Sequence, residues 1–183
     1  SIQSFDSKYD QGRALVGNNN QPFPNFSAIE NTGKQLFNQP PVFNNTGMRI
    51  NGGVGCAGCH QAPEFDIDPN SRNNGVTGTI SGNGTDLIST RAPSLRDLVK
   101  RNGGTNGGFM HNGAFEELID VINHYNLIDP TSNNNLDPRL QPGGNAQQLS
   151  MTDDEKNAII AFLETLSGTD LYTNSKWSTP FVD

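Results

Sequence analysis

The spacing of apolar residues predicts three helices and one shorter helix, separated by long stretches with no period. The clearest lies near the carboxy end, where Ala158, Ile159, Phe162, Leu163 and Leu166 fall on one helical face. Thr152 and Glu155 form a capping-box pattern at its start, and Gly168 stands at its end. A second stripe, Phe115, Leu118, Ile119, Ile122 and Tyr125, predicts a helix over Phe115–Tyr125, with Glu116, Glu117, Asp120 and His124 directed to solvent. A third helix is expected from Ser27, where Ser27 and Glu30 repeat the capping pattern, to about Asn38. Ser94 to about Arg101, following Pro93, reads as the short helix.

Glycine (20 residues), proline (11) and abundant asparagine punctuate the rest of the chain. Residues 66–90, rich in Asn, Gly, Ser and Thr, read as a long surface loop with room for short strands. No internal repeat is visible, and the only tryptophan, Trp177, sits in a tail expected to lie over the surface. The pattern predicts an all-α fold of one domain with long irregular loops.

Composition changes this picture in one respect. Hydrophobic residues make up 32% of the 183 residues and mean hydropathy is −0.60, thin for a helical core. A net charge of −7 and a pI near 4.8 argue against nucleic acid and against a polybasic membrane surface. The charge suits either a basic redox partner or simply a solvated acidic surface. The longest apolar run, Ala158 to Leu163, is far too short for membrane insertion and fits a core helix.

The chemistry is concentrated in Cys56-Ala57-Gly58-Cys59-His60, which holds both cysteines of the chain. C-x-x-C-H is the attachment signature of c-type haem: two thiols for thioethers to the vinyl groups, and a histidine placed as proximal ligand to iron. Two other readings compete. A thioredoxin-like redox pair wants a βαβ context and has no use for the histidine. A zinc site would need His111 or His124 to complete a set with Cys56, Cys59 and His60. A single covalent haem c also supplies the apolar body that the composition lacks, so the fold is expected to be a cytochrome c-like set of helices packed around it. The haem-free chain is then expected to be poorly folded. The preceding Gly52-Gly53-Val54-Gly55 reads as a flexible approach to the porphyrin edge. No signal peptide is seen; because such attachment takes place outside the cytoplasmic membrane, a periplasmic protein is expected, its export signal removed or part of a longer precursor.

A proximal histidine leaves one axial position whose occupant sets the chemistry. Met48, Met110, Met151, His111, His124 and Tyr125 are candidates. Met48 and Met151 read as loop or core residues, His124 as a surface residue, and His111 as a turn residue. Met110 would favour ferrous iron, but is equally suited to gap-filling. Tyr125 lies on the apolar stripe, where it is equally suited to be a core aromatic. The pattern alone does not separate these two.

The chain resembles the carboxy-terminal haem domain of the bacterial di-haem cytochrome c peroxidase and MauG family. The resemblance rests on Gly33-Lys34-Gln35-Leu36-Phe37, the haem string, Arg91-Ala92-Pro93-Ser94-Leu95-Arg96 and Phe109-Met110-His111-Asn112-Gly113. Glu117 to Asn126, Leu136-Asp137-Pro138-Arg139-Leu140 and the Leu149 to Leu166 segment complete it, in order over residues 27–168. It implies a cytochrome c domain over 27–168, a linker-like segment over 1–26 and a tail over 169–183, as part of a two-haem protein. It also implies Tyr125 as distal ligand, at the position that holds Met in peroxidases and Tyr in MauG-like proteins, with Met110 as runner-up. Arg91 and Arg96 resemble positions near the haem edge, where a guanidinium pairs with a propionate. The family often holds calcium between its domains; here Asn106-Gly107-Gly108 replaces the usual Thr-x-Pro, which leaves calcium an open possibility only.

Three functions follow as alternatives. The first is an electron-transfer domain serving a second haem domain or another redox partner protein, with little turnover of its own. The second is a peroxidase or MauG-type oxidant in its own right, which would need His111 or Glu116 as an acid–base group over the iron. The third is a structural or sensing haem module.

Overall fold

The computed structural model describes residues 3–66, 71–88, 91–100, 102–129 and 133–177. Its helices are α1 (Lys8–Ala14), α2 (Ala28–Asn38), α3 (Leu118–Asn126), α4 (Asp153–Glu164) and the single turn α5 (Asp170–Thr173). Strands β1 (Pro41–Phe43) and β2 (Arg49–Gly52) pair antiparallel, Pro41 opposite Gly52 and Phe43 opposite Arg49, with an irregularity after Val42. The expectation of an all-α fold is overturned: only 33% of the structure is helical, it contains a small sheet, and most of it is loop. The physical reason lies in the Gly- and Asn-rich stretches. Their backbone groups are satisfied by turns, side-chain amides and isolated bridges such as Asn73 with Leu136 and Gly78 with Thr85.

The two helices with capping boxes form where expected. Ser27 accepts from the Glu30 N–H and Thr152 from the Glu155 N–H, and each glutamate returns a bond to the cap backbone. Among the described residues, these two helices make the most extensive helix–helix contact. Gly33 lets them approach: a Cβ there would stand 1.8 Å from the Ala158 carbonyl oxygen. Around this pair Tyr9, Phe37, Phe65 and Phe162 interlock, with Tyr9 and Phe65 ring centroids 4.8 Å apart and Phe37 and Phe162 5.0 Å apart. Leu118 and Ile122 of α3 and Leu149, Leu163 and Leu166 join this core.

Other expectations are corrected. Residues 94–100 form no helix, because Asp97 adopts a left-handed φ of +57° and uses its carboxylate to accept from the Ser4 and Gly168 N–H groups; Arg101 lies outside the described residues. The third helix begins at Leu118 rather than Phe115, since the Phe109 N–H donates to the Phe115 carbonyl at 2.7 Å and holds Phe115 extended. The segment over 1–26 packs against the domain through its described residues. Ser7 and Asp10 cap α1, and Tyr9, Phe23 and Phe26 are buried in the core. Buried Lys34 donates to the Asn19 and Gln21 carbonyls and lies over the Phe23 ring, pinning the loop that follows α1.

Candidate haem-attachment site

Cys56–Gly58 form one 3-10 turn directly after the β1–β2 ribbon. The glycines before it serve close packing rather than flexibility. The Val54 N–H donates to the Leu36 carbonyl at 2.8 Å and the Gly55 N–H to Gln39 at 3.0 Å, so the end of α2 anchors the approach. A Cβ on Gly53 would meet the Gln39 and Leu36 oxygens at 2.3 and 2.4 Å. The string is therefore held against a helix end before any cofactor is considered.

No disulfide joins Cys56 and Cys59. Burial, with the neighbouring Cys59, pushes the Cys56 thiol up to about 12. A redox-active C-x-x-C pair is marked by the opposite, a stabilised thiolate. Among the described residues no group of three His, Cys, Asp or Glu side chains is placed to hold a metal ion, and His111 and His124 lie instead against the Gly78 and Asn74 carbonyls.

His60 is prepared as a ligand by its surroundings. Its Nδ1 stands 3.1 Å from the Phe65 carbonyl oxygen and 3.0 Å from that of Pro93. A ring nitrogen between two acceptors carries the proton, which leaves the Nε2 lone pair for iron. Burial lowers the His60 pKa, against the smaller opposing pull of the two carbonyls and Asp66, and keeps the ring neutral. The residue types present therefore fit a haem held by Cys56, Cys59 and His60.

The Arg91–Arg96 string supports this proximal side. Besides the Pro93 carbonyl, Ser94 Oγ donates to Glu64, the Leu95 N–H to Phe65, and Arg96 Nε to Pro63. The structure gives Arg96 partners other than the expected propionate. Its buried guanidinium forms a two-pronged pair with Asp10, at 2.7 and 2.9 Å, and also donates to the Ser4 carbonyl. Arg91 is exposed. Arg139, quoted in sequence only as part of a string, donates to both oxygens of Asp137 and to the Gly58 carbonyl at 3.2 Å, tying the attachment turn to the Asp137–Leu140 segment. Those bonds and the Arg72 N–H outweigh burial and hold the Asp137 carboxyl down at about 2.

The distal candidates also find places. Met48 is exposed, while Met151 is buried in the core. His111 donates to the Gly78 carbonyl, and His124, expected on the surface, is half-buried and donates to the Asn74 carbonyl at 2.9 Å. Tyr125 and Met110 converge: the Asn74 side-chain Nδ2 lies 3.3 Å from the Tyr125 hydroxyl and 3.3 Å from Met110 Sδ. Burial pushes the Tyr125 phenol up to about 12, against the bond from Asn74. The loop read as surface decoration thus forms a wall of the site, with Asn73 fully buried and Asn74 touching both candidates. Sequence inspection missed Asn74, Asp137 and the Pro93 carbonyl. The Asp137-Pro138-Arg139 string was the one local signal available, since Asp137 caps a 3-10 turn.

No family model matches the chain. Two cytochrome-c peroxidases of Denitromonas iodatirespirans are similar to it. IdrP1 is 33% identical over 88 residues, 48% of this chain and 20% of that protein. IdrP2 is 33% identical over 95 residues, 50% of this chain and 21% of that protein. Among solved structures, a MauG-like protein associated with microbial copper homeostasis superposes with a TM-score of 0.58 at 21% identity, covering 97% of this chain and 52% of the other. The diheme peroxidase BthA from Burkholderia thailandensis gives 0.52 at 20% identity, covering 89% and 46%. The chain thus spans about half the length of these structures, and its match covers about a fifth of the curated relatives. The peroxidases similar in sequence and the fold matched in structure agree with the haem string and support the resemblance to the di-haem cytochrome c peroxidase and MauG family, and with it a haem-based redox function, over the part that this chain spans.

Proposed function

We propose that this chain is a periplasmic c-type cytochrome domain that passes electrons to or from a second haem domain or a redox partner, within a di-haem cytochrome c peroxidase-like protein. Cys56 and Cys59 would attach one haem c, with His60 and Tyr125 as the residues that would hold its iron. The observation that supports this reading is a neutral, oriented His60 within the C-x-x-C-H string, together with a half-buried Tyr125 phenol that meets Met110 at the Asn74 amide. A bound haem supplies one-electron chemistry at iron.

The chain's own residues decide how that chemistry is used. Pro93 and Phe65 fix the His60 ring, and Tyr125 and Met110 compete for the remaining position. A phenol oxygen there favours ferric iron and a low potential, the opposite of a thioether. If His60 and Tyr125 both held the iron, peroxide would have no open position there, and turnover by the chain alone would be slow. Arg91 remains the candidate partner for a propionate. Among the described residues no helix is long and apolar enough to cross a membrane.

The test is the ferric absorption spectrum of the haem-loaded chain with its Tyr125→Phe variant, alongside steady-state peroxide consumption. A low-spin spectrum lacking the weak far-red band of Met–iron bonding, and altered in the variant, supports the reading. An unchanged variant spectrum removes Tyr125 as ligand. Rapid peroxide turnover by the chain would favour the oxidant reading instead.

A further inference from the structure

The loop over 71–88 has so far been only a wall, yet one of its side chains occupies the point where the two distal candidates meet. Asn74 Nδ2 is 3.3 Å from the Tyr125 hydroxyl and 3.3 Å from Met110 Sδ, two side chains that come from elements 36 and 51 residues away in sequence. A primary amide nitrogen has two protons, one for each neighbour.

The amide cannot easily turn over. Asn74 Oδ1 accepts from the Val76 N–H at 3.1 Å, an Asx turn that uses the oxygen and directs the nitrogen toward Tyr125 and Met110. Its main chain is held as well. The Asn74 carbonyl accepts from His124 Nε2 at 2.9 Å, so the residue preceding Tyr125 on α3 grips the same loop residue that contacts the phenol. Next in the chain, Gly75 has a φ of +98°, and a Cβ there would meet the His124 ring at 3.1 Å and Ile128 at 3.2 Å. The loop thus approaches α3 as closely as a glycine permits. Preceding Asn73 is fully buried, its amide spent on the Val76 and Asp86 carbonyls.

On the other side, Met110 is held in a left-handed conformation with a φ of +69°. The Gly113 N–H donates to its carbonyl at 3.2 Å, and the Phe109–Phe115 bridge closes the turn. A methionine in that region costs about 1 kcal/mol or more, which the surrounding turn sustains.

We infer that Asn74 is a positioning residue that selects the distal ligand, donating one N–H to the Tyr125 oxygen to hold it in place and the other to the Met110 sulfur to keep the thioether occupied. A thioether sulfur is a weaker hydrogen-bond acceptor than a phenol oxygen, and the two stand equally far from the amide nitrogen, so the stronger of its two bonds goes to Tyr125. This inference rests on the Tyr125 ligand reading above and adds to it the residue that decides between the two candidates.

The experiment compares haem-loaded wild type with Asn74→Leu, Asn74→Asp and Tyr125→Phe, reading the ferric absorption spectrum, the resonance Raman bands of an iron–phenolate bond and the midpoint potential. Asn74→Leu removes both donors. Asn74→Asp keeps the oxygen that accepts from Val76, hence the turn, and replaces the donor by a carboxylate; it serves if the leucine variant does not fold. The expected result in either is weakened phenolate bands, a far-red Met–iron band and a raised potential, with the new band abolished by adding Met110→Leu. If Tyr125→Phe alters the spectrum while both Asn74 variants match wild type, the selection by Asn74 is overturned and the ligand reading stands. If Tyr125→Phe itself leaves the spectrum unchanged, both fall together.

Discussion

Arg49 and Glu155 form a two-pronged ion pair, with Arg49 Nη2 2.7 and 2.6 Å from the two carboxylate oxygens. Glu155 is also the residue that closes the Thr152 capping box of α4, and Arg49 Nε donates to the Leu149 carbonyl. The pair therefore fastens β2, which leads into the haem string, to the start of the helix that closes the core. Burial raises the Glu155 pKa, but the bonds from Arg49 and Thr152 together hold it below its ordinary value. A carboxyl lowered in this way contributes stability above its unfolded pKa and loses it as pH falls through the folded value.

Replacement of Glu155 by Gln is expected to cost about 2 kcal/mol at neutral pH, the range for a charged hydrogen-bonded pair that is largely sheltered. Chemical denaturation at pH 7 and at pH 3 measures it. The gap between wild type and variant should narrow at the lower pH, and an equal gap at both would show that the charge of Glu155 is not what stabilises.

Gly33 is expected to tolerate no side chain. A Cβ 1.8 Å from the Ala158 oxygen and 2.9 Å from Phe162 Cβ would push α2 and α4 apart. The helix-propensity gain of alanine, about 1 kcal/mol, is smaller than the cost of forcing apart a packed backbone contact. Gly33→Ala should lower stability by about 2 kcal/mol or more, and the melting temperature by about 4–8 °C. An unchanged melting temperature would mean the helices are not in this contact.

The division between legible and hidden features follows the range of the interactions. The Ser27–Glu30 and Thr152–Glu155 boxes are local, and the α4 stripe has five buried positions, so both helices were readable. Helix α1 has a comparable signal in Ser7 and Asp10, but only Tyr9 and Gly12 are buried on it, too little periodicity to recognise. Its place in the fold depends on Arg96, 86 residues away. The C-x-x-C-H string stood out because the attachment proposed for it needs a fixed spacing. The wall over 71–88 did not, because an Asn-rich loop looks the same whether its amides face water or meet Tyr125 and Met110. Asp97 illustrates the converse: a run that reads as helix is broken by one left-handed residue whose carboxylate is used elsewhere.

Asp10→Asn is expected to release the amino-terminal segment. The Arg96 side chain is fully buried, so loss of its carboxylate partner leaves an uncompensated charge, at about 3 kcal/mol. The bonds to Asp6 from the Thr169 and Asp170 N–H groups are independent of this site and should persist. Hydrogen exchange checks both parts of the prediction. Amides of α1 should exchange faster in the variant while those near Thr169 remain protected; unchanged protection of α1 would show that core packing of Tyr9 and Phe23 suffices without the ion pair.

Asp137 offers the sharpest pH test. Its carboxylate accepts from Arg139 Nε at 2.8 Å, Arg139 Nη2 at 2.7 Å, the Arg139 N–H at 2.9 Å and the Arg72 N–H at 2.8 Å. These donors hold its pKa at about 2, against a burial effect in the other direction. Because the folded pKa lies below the unfolded one, Asp137 stabilises fully above the unfolded value, near 4, and that contribution disappears as pH falls to about 2. Asp137→Asn keeps the shape, loses the charge, and puts an amide N–H where donors now point. Its destabilisation, about 2–3 kcal/mol at neutral pH, should shrink steadily between about pH 4 and 2. Arg139 also holds the Gly58 carbonyl, so freeing it should loosen the attachment turn. The variant should therefore show faster exchange of the Gly58 and Cys59 amides at pH 7 than wild type. A variant with normal exchange there but the full loss of stability would separate the two duties, leaving Asp137 as a fold residue with no hold on the haem string.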